Sequence, residues 1–416
     1  MVMKSEVIKQ LDPTKNYRVF ALMLLFFAQA GLDIQHLLNI KISVSVVFMT
    51  VLLLYGLKYA IYKMNEIFIV SQAFFLLWFV YILKGAPMPF FVGATIYTGY
   101  AVLAIYKPCP EKFLPDLSRM CKWCMYYTFA GLVAQFTLPF LIQHSSFYRY
   151  YHILGIFWYC IGDNSSGFRF TGLAGEPGIW QFFLALNLLF SLYEKRSPKQ
   201  IVLSVLSIVF MFSTTGYFNM LFVFGFYYSM IERRIKVSYM IIIGVLAFLL
   251  SSFVLEGIMD KLSNSSGLTR ISDIFIGWMF LKRSPILGID PSVADNSADP
   301  EFIKLKYQVW GDANGGYVDP GYLDSGFCSG IMWFVLDYGL PLACYFLYKL
   351  FKFPLIKDKN LQRCVLAIIL LTFMTEPQSR TGWFYFFVLA SFIKFNWKEK
   401  KQYNNENINN NSNMEC

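Results

Sequence analysis

The stretch Arg169-Phe-Thr-Gly-Leu-Ala-Gly-Glu176-Pro177 sets a guanidinium and a carboxylate just ahead of a long apolar run. Arginine keeps its proton throughout the physiological range, and its planar fork donates paired hydrogen bonds to phosphate or carboxylate. A carboxylate at a dry mouth holds a proton more tightly, which makes Glu176 a candidate general base. Glu176 also has a purely structural reading, because a carboxylate just before Pro177 suits the positive end of a helix that proline opens. Arg270 and Arg283 stand in the only other long polar stretch between apolar runs. Together these residues point to a pocket for an anionic, membrane-borne substrate in which arginines answer developing negative charge.

The elements that must position them are apolar. With 56% hydrophobic and 15% charged side chains over 416 residues, the chain is too apolar for a soluble globular protein of its size. Runs of about 17 to 20 apolar residues cross a bilayer as helices, and about twelve such runs occur. They cover residues 17–34, 40–57, 66–83, 87–106, 122–142, 177–193, 200–213, 216–231, 237–255, 327–350, 362–376 and 382–396. The fold class expected is all-α, a polytopic membrane bundle over residues 1–396 followed by a disordered cytoplasmic tail, 397–416, whose Asn-rich composition cannot build a core. The alternating segments of a membrane β-barrel are not seen.

The net charge of +10 reflects loop composition and does not call for nucleic acid. With the amino terminus inside, about 25 of the 36 Lys and Arg fall on the cytoplasmic side, which places both termini in the cytoplasm. No short apolar segment with a small-residue cleavage site opens the chain, so the first run reads as a retained anchor. Cys121 and Cys124 form a CxxC beside Cys109, but no histidine lies near enough to complete a zinc site, and no metal or other cofactor is expected.

On this topology two external loops are long, about 143–176 and about 256–326. In the first, Tyr148, Tyr150, Tyr151, Phe157, Trp158 and Tyr159 crowd around Arg149 and His152. One reading lays this loop on the bilayer surface as an interfacial helix; the other stacks its rings on sugar faces. In the second loop, Ile271, Ile274, Phe275 and Trp278 recur at helical spacing and predict a short amphipathic helix over 270–281 that aims Arg270 and Arg283 toward a common cavity. Headgroup anchoring is the competing reading for Arg283 beside Lys282. The acidic, Gly-rich tract that follows lacks the calcium-loop pattern and reads as a mobile lid. Arg380, between the last two apolar runs, returns to the external face.

The order of apolar runs, the long external loops, Arg-Phe-Thr-Gly-Leu-Ala-Gly-Glu-Pro and the later Arg270 followed by Lys282-Arg-Ser-Pro-Ile-Leu-Gly-Ile289 resemble the O-antigen polymerase and ligase superfamily over roughly residues 120 to 395. That resemblance implies a GT-C-like glycosyltransferase of the bacterial inner membrane. It would join undecaprenyl-diphosphate-linked oligosaccharide repeat units on the extracytoplasmic face, with membrane lipid and a chain-length regulator as expected partners. Departure of a diphosphate leaving group calls for cations, which gives catalytic roles to Arg169 and Arg270, while Glu176 is either the base that takes the hydroxyl proton or a group that holds Arg169 in place. Substrate contacts would come from Arg283, Arg380, Arg149, His152 and Tyr151. Ligases of the superfamily typically carry a histidine just before the run that follows the large loop. The corresponding Leu323-Asp-Ser-Gly-Phe327 has none, which favours a polymerase making O-antigen, capsule or exopolysaccharide. Ligase or other lipid-linked glycan transferase is the first alternative. A lipid-linked glycan flippase is the second, although such a protein would place more charges inside its helices.

Overall fold

A helix that is apolar on every face has to be buried, and Pro177–Tyr193 meets that condition: every residue from Pro177 to Leu192 is enclosed. It is the axis around which the rest is arranged. The computed structural model describes residues 15–27, 51, 54, 64–85, 90–144, 150–161, 168–174, 177–232, 274–289, 304, 329–376, 381–395 and 397. In chain order the elements are α1 (Lys15–Phe27), α2 (Met64–Leu83), α3 (Phe90–Tyr106), α4 (Phe113–Thr137), β1 (Ile142–His144), β2 (Tyr150–Ile153), β3 (Phe157–Ile161), β4 (Phe168–Phe170), α5 (Pro177–Tyr193), α6 (Pro198–Val209), α7 (Thr214–Phe226), α8 (Gly330–Leu350), α9 (Lys359–Thr375) and α10 (Gly382–Ala390).

The described chain is predominantly helical, and its helices fall on the apolar runs. α5 packs against α4, α6, α7 and α9, while α10 lies along α3. That last approach is close because Gly99 has no side chain: a Cβ there would stand 2.8 Å from the Phe386 amide and 2.9 Å from the Gly382 carbonyl. Among the described helices, Gly330–Leu350 alone is long and apolar enough to cross a membrane; Pro177–Tyr193 and several others are apolar but shorter. The runs expected at 40–57 and 237–255 lie outside the described residues, apart from 51 and 54.

The first long loop departs from expectation. It is neither an interfacial helix nor irregular coil: β1 to β4 form one antiparallel meander in the order β1-β2-β3-β4. Phe157-Trp-Tyr-Cys-Ile161 and Phe168-Arg-Phe170 are runs of aromatic and β-branched types that favour a pleated surface, and a turn through Leu154 and Gly155, both at positive φ, joins β2 to β3.

α8 is broken in its middle. Gly339 adopts φ 75°, ψ 164°, a conformation open essentially to glycine, and Pro341 follows two residues later. The break is stitched to the 285–289 segment: Ile289 N–H donates to the Leu336 carbonyl at 2.8 Å, and Leu340 N–H to the Pro285 carbonyl at 2.8 Å. Pro341 cannot serve the Asp337 carbonyl, so the Lys84 ammonium does, while also reaching the Ile289 carbonyl at 3.0 Å. The Leu336 and Asp337 carbonyls and the Leu340 N–H, released by the kink, thus find partners. Just before this segment, residues 274–281 are helical as expected, with Ile274, Phe275 and Trp278 exposed and Ile276, Phe280 and Leu281 buried.

Candidate functional site

Alternate residues of a strand face opposite sides of a sheet, so the register of the meander sorts its side chains into two sets. Tyr151, Tyr159 and Phe170 are cross-strand neighbours on one side. This side is glued to α4: Phe170 sits where a Cβ on Gly131 would lie 2.2 Å from its ring, and the Tyr159 hydroxyl donates to the Gly131 carbonyl at 2.7 Å. Gln135 donates to the Phe168 carbonyl at 3.0 Å. Tyr151 packs edge-on against His144 and Phe168, with ring centroids 4.9 and 4.8 Å away.

The other side carries two cross-strand rows. In the first, His152 pairs with Trp158, and Thr171 continues the ladder by donating its N–H to the Trp158 carbonyl at 2.9 Å. In the second, Cys160 pairs with Arg169. His152, Trp158, Cys160 and Thr171 are all buried, Thr171 completely. Three polar atoms on this face are enclosed with no hydrogen-bond partner among the described residues: Arg169 Nε, Trp158 Nε1 and Thr171 Oγ1. His152 is fixed differently. Its Nδ1 accepts from the Gly155 N–H at 3.3 Å, which leaves its proton on Nε2, and burial pushes its pKa below the usual histidine value.

The chain then turns at Gly172, where φ is +63° and a Cβ would strike the Trp180 ring at 2.1 Å, and enters α5. Trp180 is anchored in turn, its indole N–H donating to Thr128 Oγ1 at 2.7 Å. Backbone turn, ring and helix therefore set the row bearing Thr171 against the first turn of α5.

Beside that turn lies a residue that sequence reasoning passed over. Glu376 ends α9 with its side chain 6% exposed and lies over the start of α5, where a Cβ on Gly178 would meet its Oε1 at 1.9 Å. Its carbonyl accepts from the Gly330 N–H at 3.1 Å, bringing the start of α8 to the same place. Glu376 thus joins the two helix starts, its carboxylate lying against the first turn of α5 and its backbone carbonyl taking the first N–H of α8. The signal was present in the sequence, since Glu376-Pro377 repeats Glu176-Pro177.

Of the residues expected at the site, the structure brings Arg169 and His152 to one face of the sheet and puts Tyr151 on the other, toward α4. Arg283 is exposed, its guanidinium 4.4 Å from the centre of the Phe280 ring. Glu176, Arg270, Arg380 and Arg149 lie outside the described residues, as do Asp295 to Asp324 of the expected lid. Among the described residues no three His, Cys, Asp or Glu side chains come together as a metal site would require. Cys121 and Cys124 are buried in α4.

Comparison with known proteins gives no match: no family model, no curated protein and no solved structure corresponds to this chain.

Proposed function

We propose that the chain is an integral membrane glycosyltransferase of about twelve spanning helices that polymerises lipid-diphosphate-linked oligosaccharide units on the extracytoplasmic face. The single observation that carries this reading is Arg169, an arginine whose Nε is enclosed without a partner at the end of an apolar helical bundle. An enclosed guanidinium N–H left without an acceptor is costly unless a ligand oxygen completes it.

The membrane setting is supported by where large apolar side chains face outward. On α2, Phe68, Phe75, Trp78, Phe79, Ile82 and Leu83 are all exposed. Water does not tolerate such a surface on a monomer, but hydrocarbon does. The asymmetry of Lys and Arg supports an extracytoplasmic position for the meander.

In the reaction, the bond between the anomeric carbon of the growing chain and its lipid diphosphate breaks, and the electron pair leaves with the diphosphate. A hydroxyl oxygen of the incoming unit bonds to that carbon and gives up its proton. Arg169 stabilises the departing oxyanion, with Arg270 and Arg283 from the second loop assigned to the same charge. Glu176 is the assigned base. Arg380, Arg149, His152 and Tyr151 are assigned to the glycan. Undecaprenyl diphosphate is the assigned carrier and a chain-length regulator the assigned partner, both by the family resemblance.

The test is reconstitution. Purified protein in liposomes is given lipid-linked units extracted from a strain lacking the gene, and products are sized on a gel. The expected result is a ladder with one lipid diphosphate released for each linkage. Transfer of single units to another acceptor identifies a ligase instead, and movement of intact units across the bilayer identifies a flippase.

A further inference from the structure

The polar face of the meander holds more than Arg169. We infer that Trp158, Thr171 and Arg169 together form an oxyanion subsite that takes a carboxylate or phosphate group of the substrate. This rests on the glycan-transfer reading for the identity of that substrate, but its geometry stands apart from it.

Three observations converge. Trp158 and Thr171 are cross-strand neighbours, and Arg169 lies two residues before Thr171 on the same face, so all three side chains occupy one patch of the sheet. Trp158 is 3% and Thr171 0% exposed, and each carries a polar atom with no partner among the described residues, as does Arg169 at Nε. The chemistry of the set is one-sided. An indole N–H only donates, a guanidinium only donates, and a hydroxyl can donate. His152, in the same row, adds an Nε2–H because its Nδ1 is already occupied. A patch of enclosed groups that mostly donate is complementary to oxygen atoms bearing negative charge.

Unpartnered buried atoms also occur elsewhere among the described residues, on Tyr81, Tyr100, Glu111 and Gln135 and, between α5, α6 and α7, on Gln181, Ser207 and Asn219. Apart from one carboxylate oxygen of Glu111, those are neutral hydroxyl and amide atoms, which a buried water satisfies, and none of them belongs to a cation. On the sheet the unspent groups are a guanidinium N–H, an indole N–H and a hydroxyl side by side, and the charge on the guanidinium makes an anionic oxygen a stronger partner than water. The opposite face of the same strands shows that the sequence had apolar alternatives: at Tyr159 and Phe170 it spends every group on α4.

The subsite predicts an inversion that a structural role does not produce. Thr171→Val and Trp158→Phe delete one donor each while keeping most of the volume. Removing an unsatisfied buried polar atom stabilises the empty protein, whereas removing a hydrogen bond to a bound oxyanion weakens binding by about 10- to 100-fold. The experiment uses the full chain in nanodiscs and measures thermal unfolding and binding of three probes: undecaprenyl diphosphate, glucuronic acid and uncharged undecaprenol. The expected result is that both variants melt at or above the wild-type temperature without ligand. Both then bind one of the two anionic probes at least 10-fold more weakly, and binding of undecaprenol is unchanged. Loss confined to undecaprenyl diphosphate places the lipid diphosphate in the subsite; loss confined to glucuronic acid places a sugar carboxylate there. If both variants melt lower than wild type and bind every probe as wild type does, the groups are structural and the inference is overturned. Anion binding lost in the variants by a wild type that makes no polymer would leave the subsite standing and remove the polymerase reading.

Discussion

Arginines at the two ends of α4 are treated in opposite ways. Near its start, Arg18 is 5% exposed and donates from Nε to Asp116 at 2.7 Å, with the Tyr106 hydroxyl 3.3 Å from the same carboxylate oxygen. Close by, Arg196 spends its guanidinium on Glu194 at 2.8 Å, Asn187 at 3.0 Å, Ser191 at 3.2 Å, and Ser118. Asn187 is held in turn by Ser204 at 2.8 Å. Toward its other end, about 20 Å away along the helix from Ser118 to Gly131, the sheet presents Arg169 with its Nε unspent. The first end fastens helices together; the second holds donors in readiness. Where the arginines at one end of a helix are spent on carboxylates and the arginine at the other keeps an enclosed N–H unspent, the latter end is the better place for an anionic ligand.

The comparison can be broken most forcefully at its paired end. Arg18→Met leaves Asp116 buried without its cation and is expected to cost about 3 to 5 kcal/mol of stability, read by thermal or denaturant unfolding of the purified protein. Arg169→Ala should do the reverse: polymer formation falls by about 30- to 1,000-fold, equivalent to about 2 to 4 kcal/mol, while the melting temperature stays level or rises. Equal destabilisation by both variants would erase the distinction between the two ends.

Gly172→Ala sharpens it from the backbone side. A Cβ there must adopt positive φ and push against the Trp180 ring, so a cost of about 1 to 3 kcal/mol is expected, together with reduced transfer because Thr171 and Arg169 are displaced. Wild-type melting and activity in this variant would show that the turn does not position the face. The smallest expected effect is on pH dependence. Burial holds the His152 pKa below its unfolded value, so its neutral form is favoured in the fold. Its contribution is therefore fully present above about pH 6.5 and declines as pH falls through the folded value. His152→Gln should flatten that acid-side loss in a melting series; an unchanged profile would assign the loss to other groups.

Much of this architecture was legible from apolar runs. The run at 177–193 coincides with α5, and those at 66–83, 87–106 and 327–350 fall within three residues of α2, α3 and α8. α4 begins well before the expected 122 because Asp116, Arg119 and Lys122 interrupt the apolar count, yet Asp116 is neutralised by Arg18 inside the structure. Hydropathy cannot see a charge that a distant residue cancels. The meander was missed for a related reason. Its aromatic density was read as an affinity for the bilayer surface, whereas the alternation of Trp158, Cys160 and Arg169, Thr171 against Tyr159 and Phe170 carried the period of a strand. Arg169 was found because an arginine ahead of an apolar run is conspicuous. Trp158 was noticed for its ring and not for its N–H, and Thr171 and Glu376 were not singled out, since their significance lies in partners that they lack or share across the fold, and spacing along the chain does not encode that.

The most direct test of the central claim is the glycan banding pattern of a strain lacking the gene and complemented with Arg169→Ala, at membrane expression matched to wild type. The account predicts that wild type restores a ladder, while Arg169→Ala leaves single repeat units on the final acceptor. A full ladder from Arg169→Ala would contradict the role given to this arginine, and repeat units stranded on the lipid carrier with no transfer would contradict polymerisation itself.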